Sequence, residues 1–174
     1  GLMAWLPKFL VQNRGLPLGV SSLVAAAGGL GMWISSLCTG YFVGKYMQGK
    51  EHKVVCSCSL LSAVCIGLVY ATSSAISASL FLFFGYVFLM ASFVTVFTLP
   101  MKRLPTDVMG AAMGIINTGG TLGGFVAPIA MGYLVKMSQG YFSTFVFLVV
   151  VMIASGLVIL PLAGKTYSPV RETA

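Results

Sequence analysis

The sequence predicts an all-α polytopic membrane protein, and three observations carry that reading. Hydrophobic residues fill 58% of the 174 positions and charged residues only 7%, against roughly 25% charged in soluble domains. Mean hydropathy is correspondingly high, at +0.99. The few charges also cluster, which leaves uncharged runs at 15–44, 54–101, 108–135 and 137–164. A bilayer core about 30 Å thick is crossed by roughly 20 apolar helical residues. Every run is long enough for one crossing, and 54–101 is long enough for two.

The same composition excludes other classes. A transmembrane β-barrel is written in segments of about ten alternating residues, not in runs of this length. The net charge of +7 is no nucleic-acid footprint, because the basic residues sit in short loops between spans. Cys38 and Cys65 lie inside apolar runs, and Cys56-Ser57-Cys58 lacks the second pair or the histidines that a zinc site needs. The cysteines read as small packing residues. No metal or cofactor is expected.

Taken in order, the elements begin with Gly1 to Leu10. This stretch has no initiator methionine and no basic region before a cleavable apolar segment. It reads as the tail of a helix at 1–10 whose earlier part is absent. The 48-residue run divides at Ala71-Thr72-Ser73-Ser74, its most polar point. Five full spans follow the tail, at about 18–43, 54–71, 77–99, 108–135 and 142–163, with a tail at 164–174. Together they form one membrane domain.

Loop charges set an orientation. Lys45, Lys50, Lys53, Lys102, Arg103, Lys165 and Arg171 fall on one side, and Lys8, Arg14 and Lys136 on the other. The positive-inside bias then places the first group and the carboxy terminus in the cytoplasm. The expected location is a plasma (inner) membrane.

Glycine divides the spans into two kinds. The first carries Gly19, Gly28, Gly29, Gly31, Gly40 and Gly44, and the fourth carries Gly110, Gly114, Gly119, Gly120, Gly123, Gly124 and Gly132. The second, third and fifth have one each: Gly67, Gly85 and Gly156. Small residues let helices approach closely in lipid. Spans one and four are therefore expected to pack closely within protein, and the others to carry more of the lipid boundary.

On the fourth span Gly110, Gly114, Asn117, Thr121, Gly124 and Pro128 recur at helical spacing and share one face. Ile115, Thr118, Leu122, Phe125 and Ile129 form a bulkier face beside it. This pairing marks a helix partly facing a bundle interior or cavity, and Pro128 loosens or kinks it. Asn117 is the only asparagine within a span. It serves either as an interhelical hydrogen bond or as a ligand contact. The third span holds six of the twelve phenylalanines, pointing in nearly every direction, so most meet lipid or neighbouring helices. With Tyr86, Ser92 and Thr95 of that span, Asn117 and Thr121 make up the candidate substrate-binding set. The hydroxyls of Ser92 and Thr95 have a simpler alternative, bonding back to their own helix.

Three stretches resemble the carboxy-terminal half of a major facilitator superfamily transporter. Trp5, Pro7, Phe9 and Leu10, followed by Arg14-Gly15, are similar to the end of the seventh helix in the anion/cation symporter branch, which carries sugar acids and other organic anions. Leu104-Pro105 through Gly110, Gly114 and Asn117, continued by Gly119-Gly120, Gly123-Gly124 and Pro128, resemble the eleventh helix of that branch. Gly40, Gly44, Lys45, Gly49 and Lys50 resemble the weaker second copy of the superfamily's loop signature. The full signature has an acid where Gly44 stands and an arginine where Lys45 stands, so this copy is degraded.

The resemblance implies two six-helix halves around a central cavity, with substrate near the midplane. It implies that the eighth and eleventh helices pack on the other half and that the ninth and twelfth are peripheral. The expected function is alternating-access transport of a small organic anion or related metabolite, in the bilayer, together with the amino-terminal half and a coupling ion. The alternative is a truncated or regulatory membrane protein that does not transport. An enzyme is not expected. His52 stands in a basic loop without nucleophile or metal-ligand companions, and three acids in all, Glu51, Asp107 and Glu172, assemble no paired-carboxylate site within the spans.

Overall fold

The computed structural model describes residues 2–162. Its elements are α1 (Leu2–Arg14), α2 (Leu18–Tyr46), α3 (Glu51–Ala71), α4 (Ala75–Arg103), α5 (Thr106–Ser138), α6 (Phe142–Val158) and a 3-10 turn at Leu160–Leu162. Helices α2 to α5 are each long and apolar enough to cross a bilayer, and α6 is a shorter apolar helix of 17 residues. The fifth expected span ran to 163. The α-helix stops at Val158 and tightens into the 3-10 turn around Pro161, whose ring has no N–H to continue an α-helical ladder. The tail at 164–174, with Lys165 and Arg171, lies outside the described residues.

Each break has a local cause. α1 ends where Gly15 turns left-handed at φ 63°. Its N–H reaches the Val11 carbonyl at 3.1 Å and that of Leu16 reaches Leu10 at 3.2 Å, and only glycine enters this region freely. Pro17 at φ −55° then starts α2. Gly49, at φ 77°, turns the 47–50 loop. Leu104 is held extended, at ψ 144°, by the ring of Pro105 behind it. Thr72 and Ser74 are extended between α3 and α4.

α4 is the centre of the bundle. α2 and α3 each lie along it, and α6 covers the other side of α3. α1 crosses to close one end, where Phe9 stacks among Tyr70, Tyr141 and Phe145 with ring centroids 4.8–6.0 Å apart. Arg14 donates to Ser73 Oγ at 3.2 Å and to the Tyr70 carbonyl. Tyr141 donates to Gln12 Oε1 at 2.6 Å. Between the long helices, hydroxyls act as ties: Ser59 with Ser92 at 2.9 Å, Ser62 to the Gly85 carbonyl at 2.9 Å, and Ser35 to the Val87 carbonyl at 2.7 Å. Interhelical bonds of this kind contribute about 0.6 kcal/mol each on average.

The close helix contacts fall in different places from those the glycine distribution suggested. Span one behaves as expected in its middle. A Cβ on Gly28 would stand 2.4 Å from the Tyr86 ring, and one on Gly31 would stand 2.5 Å from the Phe83 carbonyl oxygen. Two of the solitary glycines are also tight, though less so. A Cβ on Gly85 would meet Ile66 at 3.1 Å, and one on Gly156 would meet Ser59 at 3.0 Å. Gly40, Gly44, Gly110, Gly114, Gly120 and Gly124 have open space within 4 Å. Among the described residues, span four therefore packs through one of its glycines, Gly132, and not through the stripe from Gly110 to Gly124. The reason is geometric: it touches the rest of the bundle mainly at one end, where Met131 is fully buried and Gly132 abuts Trp5.

Candidate functional site

Ten consecutive residues of α5, 117–126, are exposed on every side of the helix in this chain. Asn117 and Thr121 stand one turn apart within that stretch. The Thr121 hydroxyl donates to the Asn117 carbonyl oxygen at 2.9 Å, which occupies its proton and leaves its oxygen free to accept. The Asn117 carboxamide makes no hydrogen bond among the described residues and offers both a donor and an acceptor. Gly110, Gly114 and Gly124 keep this face low, so a ligand or a second helix can approach the backbone closely. Pro128 is half-buried where the helix rejoins the bundle. Large side chains, among them Ile115, Leu122, Phe125 and Ile129, stand exposed on the other sides.

The other three expected binding residues lie elsewhere. Tyr86 is buried against Gly28 between α4 and α2. Ser92 is buried and tied to Ser59 of α3. Thr95 is fully buried and donates to the Ala91 carbonyl at 2.7 Å. These side chains line helix seams, and the structure does not bring them to Asn117 and Thr121. The two groups share polarity in an apolar run but not a surface.

The loop that carries the degraded signature has its own geometry. Lys45 donates to the Tyr41 hydroxyl at 3.1 Å and lies 5.4 Å from the centroids of the Tyr41 and Tyr46 rings. Gly40 and Gly44 face open space. Glu51 is buried at the start of α3 and pairs with Lys102 of α4 at 3.4 Å. Glu51 was missed as a structural tie. Its signal was present: it is the single acid before Asp107.

A cleft of about 650 Å³ opens between α2, α3 and α4 at the 47–50 loop. It follows from the packing, because α2 and α3 are consecutive in the chain yet both lie on α4 rather than on each other. No local sequence pattern announces it.

Between 15 and 44, 54 and 101, and 108 and 135 the chain has no charged residue. These spans therefore offer hydrogen-bonding groups and close approach rather than charge.

The sequence model of the Major Facilitator Superfamily matches residues 1–128. Among curated proteins, the D-galactonate transporter of Escherichia coli O6:H1 is 27% identical over 147 residues, covering 80% of this chain and 33% of that protein. The probable sulfoacetate transporter SauU of Cupriavidus necator is 25% identical over 148 residues, covering 80% of this chain and 34% of that protein. The inner membrane transport protein RhmT of Escherichia coli K12 is 26% identical over 133 residues, covering 74% of this chain and 30% of that protein. The chain spans about a third of the length of the relatives it matches.

Proposed function

Because the chain belongs to the major facilitator superfamily, and is an integral multi-pass membrane protein rather than an enzyme, we propose that it supplies the carboxy-terminal bundle of a transporter for a small organic anion. The observation that carries this reading is the exposed α5 stretch around Asn117 and Thr121. A polar amide without a partner among the described residues, beside a hydroxyl whose oxygen is free to accept, suits a surface that closes on another bundle and on solute. Alternating access follows from two bundles rocking about that site. The charge-free spans support a reading in which the partner bundle supplies the counter-charge for the anion and any ion coupling. Two of the relatives are named for a sugar acid and for a sulfonated acid, which supports an anionic solute of few carbons.

The test is counterflow in proteoliposomes holding the full-length protein. Labelled D-galactonate or sulfoacetate is expected to accumulate and the neutral sugar galactose is not. Accumulation of neither anion nor of any other small carboxylate would favour the non-transporting alternative.

Orientation belongs to the same proposal. With the 47–50 and 104–105 loops cytoplasmic, single cysteines at Lys50 and Lys102 are expected to react only with reagents admitted to the cytoplasm, and one at Gly140 from outside. External labelling at Lys102 would reverse the topology.

A further inference from the structure

We propose that the cleft between α2, α3 and α4 is a binding site for one anionic phospholipid, with its headgroup on Lys50 and Lys53 and an acyl chain on the apolar walls. The inference is independent of the transported solute. Lys50 and Lys53 line the cleft at its loop end, while Ile34, Phe42, Val87 and Phe88 line it further in. From Met47 to Ile34 the α2 wall runs thirteen residues, roughly 20 Å at 1.5 Å per residue. Half of a bilayer's hydrocarbon thickness is about 15 Å. The groove therefore spans the depth of one leaflet, as a lipid tail does and a compact soluble ligand does not.

The hydroxyls in the walls are already used. Ser35 bonds Thr39 at 3.2 Å and the Val87 carbonyl at 2.7 Å. Ser57 donates to the Lys53 carbonyl at 2.7 Å. What remains is an apolar slot with two ammonium groups at one end. Glu51, the acid of this segment, turns to Lys102 and does not line the cleft. The chemistry is complementary to a molecule with a long apolar body and an anionic end, and basic pockets between membrane helices bind anionic headgroups in this way.

The experiment uses the full-length protein in neutral detergent, titrated with phosphatidylglycerol or with phosphatidylcholine of the same chains, with bound lipid counted by native mass spectrometry. One phosphatidylglycerol is expected to bind ahead of any phosphatidylcholine. Replacing both lysines, Lys50→Gln with Lys53→Gln, is expected to weaken it on the order of 10- to 30-fold, given the effect of each lysine near an anionic lipid. Lys8→Gln with Lys136→Gln removes the same charge from helices that do not line the cleft and should leave affinity within about twofold. Ala91→Phe fills the slot and should block binding with both lysines in place. Ser57→Phe, from the opposite wall, gives the same reading if Ala91→Phe does not fold. Equal affinity for phosphatidylcholine, unchanged binding in the lysine pair or in the filled cleft, or equal binding of water-soluble glycerol phosphate would each overturn the proposal.

Discussion

Gly31→Ala is expected to force α2 away from α4 and to destabilise the protein by about 1–3 kcal/mol, the usual cost of overpacking a tight contact. The added methyl would stand 2.5 Å from the Phe83 carbonyl oxygen and 3.2 Å from Val87. The nearer of these is backbone, so it moves only if α4 moves, and α4 also supports α3. The Ser35 bond to the Val87 carbonyl, one turn further along the same seam, would lengthen with it. Gly40→Ala is the control. It lies on the same helix with nothing within 4 Å, and alanine is the better helix former by about 1 kcal/mol. Thermal unfolding of the detergent-solubilised protein separates the two. Equal melting temperatures for Gly31→Ala and Gly40→Ala would mean that α2 and α4 do not meet at Gly31.

Asn117→Ala is expected to weaken solute binding while leaving the fold intact. The carboxamide has no hydrogen bond to lose among the described residues, so its removal takes no tie from this bundle. A buried solute group left unpaired typically costs about 1–3 kcal/mol, or roughly 5- to 150-fold in affinity. Asn117→Asp is nearly the same shape and should do more harm, because it sets a carboxylate against an anionic solute. If Asn117 were instead an interhelical tie to the remainder of the transporter, the alanine variant would melt earlier and its folded fraction would bind normally. Binding measured on the folded fraction, beside the melting temperature, separates these outcomes.

What was legible in the sequence follows from how local each signal is. Chain-wide hydropathy and charge clustering announced membrane helices because both are one-dimensional properties. The charge clusters and the polar point at Ala71-Thr72-Ser73-Ser74 marked the breaks, while the left-handed Gly15 and Gly49 and the ring of Pro105 supply the backbone geometry within them. Contacts between helices were less legible. Seven glycines on span four looked like a packing face, yet a glycine count does not say whether the partner belongs to the same chain. Gly85 and Gly156, one to a helix, carry close contacts that no motif signals. Tyr86, Ser92 and Thr95 share a span, but whether a polar side chain faces a seam or a cavity depends on which neighbour lies opposite. The cleft above Lys50 and Lys53 needs three helices to define it, and so it exists only in three dimensions.

The most direct test is solvent access at position 117. In the full-length protein, with Cys38, Cys56, Cys58 and Cys65 replaced by serine, Asn117→Cys should react with a membrane-impermeant, water-soluble thiol reagent, and saturating D-galactonate or sulfoacetate should slow that reaction. Leu122→Cys, on the bulky face, should react poorly with the same reagent whether or not solute is present. Modification of Asn117→Cys slowed several-fold by solute is the predicted result. A cysteine at 117 that only lipid-soluble reagents reach, at a rate no solute changes, would place this face in the bilayer and contradict the account.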